Sequence, residues 1–181
     1  MKKILSVGLL TLLLAACQST PPQVSQPEPA KPLPQLKIGL ALGGGAAKGF
    51  AHIGVIKMLE AQGIRPDVVT GTSAGSVVGS LYAGGMDAFA LQTHAFALDE
   101  AQIRDVSLFS GGLVKGEKLQ SYVNTLLQNR PLEKLGKPFA AVATELETGR
   151  RVVFVRGNAG QAVRASSSIP GVFEPVMISG K

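Results

Sequence analysis

The chain has one cysteine, no tryptophan and two histidines in 181 residues. A lone cysteine excludes an internal disulfide and any multi-cysteine zinc site, and two histidines do little to replace it. Neither a metal nor a cofactor is therefore expected. No apolar run is long enough to span a bilayer: as a helix, residues 4–14 fall well short of the roughly 30 Å hydrocarbon core. The 22 glycines and 11 prolines are too few and too scattered for collagen or low-complexity disorder. What is present is 45% apolar residues, enough to bury a core, in a length that suits one domain. The formal charge of +6 includes Lys2 and Lys3 at the extreme N-terminus, so no nucleic-acid partner is expected.

Met1-Lys2-Lys3 is a basic start, residues 4–14 are almost wholly apolar, and Leu14-Ala15-Ala16-Cys17 places small residues before the cysteine. This is a secretory signal layout. Its end resembles a bacterial lipobox, in which the signal is cut before the cysteine and the cysteine carries the lipid. An ordinary signal peptide with a chance cysteine is the alternative. The expectation is a signal peptide over 1–16 and a lipidated Cys17. Gln18, by the same resemblance, directs the protein to the outer membrane of the bacterial cell envelope. Residues 18–35, rich in Pro, Gln and Ser, read as a tether with an extended reach of about 55 Å. The folded part is expected over 36–181.

Within that part, residues 36–42 read as a buried strand and a glycine loop follows. Phe50, Ile53, Ile56 and Leu59 recur every three positions, which predicts an amphipathic helix over 47–62 stopped by Gly63 and Pro66. A second strand is predicted over 67–70 and a second helix over 73–83. Residues 86–98 and 116–128 read as further helices, and 139–145 and 151–155 as a strand pair around Thr148-Gly149. Strand and helix alternating so closely predict an α/β fold, with helices covering a parallel sheet. Phe89 and Phe96 are candidates for a lipid-facing lid, but an aromatic stripe at helical spacing more often packs in a core, which is the expectation.

Two loops carry candidate chemistry. Gly71-Thr72-Ser73-Ala74-Gly75 fits G-x-S-x-G between a strand and a helix, where a sharp turn lifts the serine hydroxyl above the sheet and Gly71 and Gly75 permit that turn. The plain alternative for Ser73 is a helix N-cap. Gly43-Gly44-Gly45-Ala46-Ala47-Lys48-Gly49 follows the first strand, and its small residues let backbone N–H groups face a phosphate or an oxyanion. The chain has no G-x-x-x-x-G-K run followed by Ser or Thr, as a phosphate loop needs, and Ala46 occupies the second glycine position of the dinucleotide pattern, so a nucleotide is not expected. Ends of adjacent parallel strands lie about 5 Å apart, close enough for one loop to serve the other.

The run from Ile38 to Gly85, with its glycine loop, basic residue and serine elbow, resembles the bacterial patatin-like phospholipases. Val163-Arg164-Ala165-Ser166 and Ile169-Pro170-Gly171-Val172-Phe173 are similar to the same family. The resemblance implies a three-layer α/β/α fold with a mostly parallel sheet, and a lipid esterase acting through a Ser–Asp dyad. It implies Ser73 as nucleophile and the amides of Gly44, Gly45 and Ala46 as an oxyanion hole. Lys48 stands at the family's basic position, where it either supports that hole or is a solvated first-turn lysine. Ala46 replaces a glycine of many relatives, at small expected cost because its N–H is kept. Glu145 stands where relatives more often have Asp.

The family's dyad aspartate lies in an Asp-Gly-Gly or Asp-Gly-Ala motif that this sequence does not contain. Asp67, Asp87, Asp99 and Asp105 are not followed by two small residues, and none is promoted. His52 and His94 are expected to pack, not to act as bases. The chain is therefore expected to be a C-terminally incomplete patatin-like domain, with negligible esterase activity alone. Its substrate would be membrane lipid or another acyl ester. The competing expectation is an inactive envelope lipoprotein that binds lipid or a protein.

Overall fold

A computed structural model of the chain describes residues 36–98, 105 and 114–180. The expected signal peptide, Cys17, the tether and Asp99 lie outside the described residues. Four strands pair in sequence order: β1 (Gly39–Leu42), β2 (Val68–Thr72), β3 (Phe139–Thr144) and β4 (Arg151–Phe154). The first three are parallel, with Leu40 opposite Val69 and Thr70 opposite Ala140. β4 runs antiparallel to β3, with Thr144 opposite Arg151. Antiparallel neighbours can be joined by a short turn, which Gly149 makes at φ +69, whereas the parallel pairs need helical crossovers.

Those crossovers include α1 (Phe50–Ala61), entered through a 3-10 turn (Ala46–Gly49), then α2 (Ala74–Ala83), α3 (Ala88–Ala97) and α4 (Glu117–Leu126). A 3-10 turn (Leu132–Lys134) precedes β3, and α5 (Ala159–Ser167) follows β4. Local chemistry sets the helix starts. The Asp87 carboxylate accepts the Ala90 N–H at 2.8 Å, and Asn158 accepts that of Gln161 at 2.7 Å. Asp105 accepts the N–H groups of Gly116, Glu117 and Lys118, satisfying the first turn of α4 from outside the helix.

One apolar cluster joins Leu42 of β1, Ile56 of α1, Val69 of β2, Leu81 of α2, Val123 of α4 and Val163 of α5. Burying a side chain such as Ile56, fully enclosed here, contributes roughly 1.5–3 kcal/mol. Right-handed crossovers between successive parallel strands place their helices on one face of the sheet. Val69, Gly71, Phe139 and Ala141 point into that face and are buried, while Val68 and Val153 on the other face are 41% and 47% exposed. Helix α2 lies close against the sheet, since a Cβ on Gly79 would come within 2.9 Å of the Phe139 ring.

Three expectations change. Phe50, assigned to the buried side of α1, is 51% exposed, and Ile53 and Ile56 alone are fully buried on that helix. Phe89 and Phe96 are 64% and 82% exposed, because α3 turns Ala88 and Leu91 to the core instead. Helix α5 was not anticipated, although its Asn158 cap is a readable start signal.

Candidate active site

Strand β2 delivers Ser73 into a turn that few side chains adopt. Its backbone sits at φ 52 and ψ −123, and its side chain makes no capping hydrogen bond with α2, which begins one residue later. The N-cap alternative therefore fails, and the hydroxyl is left free of that duty on a half-buried residue. Positive φ at a non-glycine residue persists only where the surroundings hold it. Here the Ser73 N–H donates to Ser166 Oγ at 2.9 Å, and Ser166 Oγ donates to the Val142 carbonyl at 2.5 Å. Inside the turn, Ser76 Oγ donates to the Ser73 carbonyl at 2.6 Å.

The two glycines of the elbow are required by backbone contact. A Cβ on Gly71 would collide with the Gly75 carbonyl, and one on Gly75 would collide with the carbonyls of Leu42 and Gly43. Gly75 thus seats α2 against the end of β1, where the glycine loop starts. That loop comes up to the serine: a Cβ on Gly44 would lie 3.4 Å from Ser73 Cβ. Residues 43–48 are exposed throughout. Gly45 takes φ +158 and accepts the Lys48 N–H at 3.0 Å, which closes the 3-10 turn. Ala46 sits at φ +48, so replacing glycine there keeps an N–H but places a Cβ in the left-handed region, which costs about 1–2 kcal/mol. The expectation of a small cost is corrected accordingly.

His52 does more than pack. Its Nε2 donates to the Gly43 carbonyl at 2.8 Å, tying α1 to the first residue of the loop. The structure thus brings together Ser73, Gly44, Gly71 and Gly75, with His52 and Ser166 bracing them. Ser166 closes the Val163-Arg164-Ala165-Ser166 stretch, whose sequence does not announce this contact.

The family model for patatin-like phospholipases matches residues 40–181. The chain belongs to the patatin-like phospholipase family. An uncharacterized NTE family protein of Mycobacterium tuberculosis is 37% identical over 147 residues, covering 80% of this chain and 41% of that protein. Lysophospholipase NTE1 of Pyricularia oryzae is 33% identical over 149 residues, 79% of this chain and 10% of its own length. The chain thus spans well under half of these relatives. Among solved structures, ExoU of Pseudomonas aeruginosa, in complex with SpcU, matches with a TM-score of 0.58 at 20% identity, over 74% of this chain and 38% of that one. VipD of Legionella pneumophila matches with 0.58 at 17% identity, over 79% and 44%. These likenesses show the three-layer α/β/α fold with a mostly parallel sheet. The described residues form the sheet and the helical layer on one face.

In this patatin-like chain the described aspartates are engaged away from Ser73. Asp67 accepts the Ile38 N–H at 2.7 Å, Asp87 caps α3 and Asp105 caps α4. Glu145 accepts from Thr148 Oγ1 at 2.5 Å and so helps close the β3–β4 turn. Lys48 is exposed in the 3-10 turn beside the loop, with its backbone N–H on Gly45.

Proposed function

We propose that the complete protein is a serine acyl-ester hydrolase acting on lipid esters. The observation that carries this reading is the strained elbow at Ser73, uncapped and set beside the exposed glycine loop. Ser73 Oγ attacks the acyl carbonyl and loses its proton to a base. The carbonyl oxygen takes up the negative charge and meets the N–H groups of Gly44, Gly45 and Ala46, each such donor being worth about 3–4 kcal/mol in the transition state. The alcohol departs with a proton, leaving an acyl-enzyme, and water then releases the fatty acid and restores Ser73. A Ser–Asp dyad supplies the base in this proposal. Its aspartate is not among the described residues, and the proposal includes negligible ester hydrolysis wherever that base is missing.

The proposal extends to place. Cys17 carries lipid and holds the protein at the outer membrane, near acyl-ester substrates. Mass spectrometry of the N-terminal peptide tests this, and an unmodified Cys17 refutes it.

The test of the chemistry is fluorophosphonate labelling and acyl-ester hydrolysis by the complete protein, before and after Ser73→Ala. Labelling and hydrolysis both lost in the variant are expected. An unlabelled wild type that still binds lipid would instead indicate an inactive binding protein, and a fully active Ser73→Ala would remove the mechanism.

A further inference from the structure

The carbonyl of Ser73 is used more heavily than the start of a helix requires. It accepts the Val77 N–H at 3.1 Å, which is the ordinary first bond of α2, and also the Ser76 N–H at 2.7 Å and the Ser76 hydroxyl at 2.6 Å. Ser76 is fully buried, and a Cβ on Gly71 would lie 2.6 Å from its Cα, so β2 fixes the residue from behind. A bond from residue 76 back to residue 73 is of the 3-10 type, and it tightens the first turn.

Ser76 is the third residue of α2, and Ser73 stands at the capping position before it. The N–H of that third residue is one that a capping serine ordinarily takes on its own hydroxyl oxygen, from an extended backbone. Ser73 therefore offers two acceptors for one donor. If Oγ took it, Ser73 would leave its φ of 52, its N–H would leave Ser166, and the oxygen proposed to attack would be tied to the helix. In the structure the carbonyl takes it, and the Ser76 hydroxyl holds that carbonyl from the same residue.

We propose that Ser76 is a positioning residue that keeps the Ser73 hydroxyl out of the helix cap and free to react. Its hydroxyl draws the Ser73 carbonyl onto residue 76, the carbonyl takes the Ser76 N–H, and that N–H no longer calls for Ser73 Oγ. The value of a free Ser73 rests on the hydrolase proposed above, whereas the competition for the Ser76 N–H is read separately from it. Helix α2 supplies its own comparison. Ser80, also fully buried, donates Oγ to the Val77 carbonyl at 2.9 Å across the same three-residue step, away from the elbow.

The test uses the complete protein. In Ser76→Ala, fluorophosphonate labelling of Ser73 should slow about tenfold, through its maximal rate and not through the probe concentration that gives half of it. Ser80→Ala should label at the wild-type rate. Urea unfolding of Ser76→Ala, alone and combined with Ser73→Ala, closes a double-mutant cycle. With Ser73 present its hydroxyl takes the released N–H, so the midpoint should fall less than in Ser80→Ala. In the Ser73→Ala background no hydroxyl is there to take it, and adding Ser76→Ala should lower the midpoint further than it does in the wild type. Labelling of Ser76→Ala at the wild-type rate would overturn the proposal. So would equal slowing in Ser80→Ala, additive losses in the cycle, or a Ser76→Ala protein that fails to fold. A non-additive cycle in a protein that no probe labels sinks the hydrolase reading alone. Ser73-dependent labelling with an additive cycle sinks the role of Ser76 alone.

Discussion

Ser166 holds the backbone of Ser73 from across the fold: its hydroxyl accepts the Ser73 N–H at 2.9 Å and donates its own O–H to the Val142 carbonyl on β3. Ser166→Ala leaves both groups without this partner, and such unmade hydrogen bonds cost about 1–3 kcal/mol. In the complete protein, fluorophosphonate labelling of Ser73 should slow about tenfold, with much of the rate restored in Ser166→Thr. Labelling at the wild-type rate in Ser166→Ala would mean the elbow holds itself.

The elbow glycines give a second prediction. In Gly75→Ala the new methyl meets the carbonyls of Leu42 and Gly43, so α2 must move off the end of β1. Overpacking of this kind costs about 1–3 kcal/mol or more. Urea unfolding should register that loss, and Gly71→Ala, whose methyl meets the Gly75 carbonyl, should behave alike.

Ala46 predicts an effect of opposite sign. At φ +48 a glycine relieves steric strain, so Ala46→Gly should stabilise the protein by about 1 kcal/mol in thermal or urea melts. Ala51→Gly, inside α1, should destabilise by about 0.5–1 kcal/mol. Equal effects at the two positions would contradict the strain at residue 46.

His52 positions the glycine loop in this structure through its hydrogen bond to the Gly43 carbonyl. His52→Ala frees the Gly43 carbonyl and should reduce the labelling rate of Ser73 without displacing its pH profile. His52→Gln, which can still donate, should recover part of that rate. A profile that loses a limb near neutral pH would instead give His52 a protonic role.

Glu133 supplies an acid-side dependence. Hydrogen bonds from its own backbone amide and from that of Gly157 hold its carboxyl below the ordinary 4.5. A depressed carboxylate pKa stabilises the fold above the unfolded value, and that stability is lost as the pH falls through the folded value. Glu133→Gln should therefore flatten the stability curve below about pH 4.5, measured by urea midpoints across the acid range.

Local chemistry made much of the fold legible. Gly71, Ser73 and Gly75 could be read because a strand-to-helix turn of this kind needs small residues at fixed offsets. The Thr148-Gly149 turn between β3 and β4 could be read for a similar reason. Residues that act across long separations were silent. Nothing near Ser166 in sequence announces Ser73, and nothing in the His52 helix announces Gly43. Periodicity also failed on α1 and α3, where apolar residues occupy both sides: the pattern at Phe50, Phe89 and Phe96 could not say which side meets the core. The strain at Ala46 is silent in the sequence, because an N–H is visible there and a backbone angle is not.

The contact of Gly75 with Leu42 and Gly43 has a consequence for how such a protein can diversify. No side chain separates the helix after Ser73 from the start of the glycine loop, so their spacing is set by peptide geometry and not by any rotamer. Substitution can shatter that joint but cannot adjust it by small steps. In the proposed hydrolase, new acyl-chain or headgroup preferences would have to arise in the walls around that joint, while the joint itself is inherited as one indivisible part.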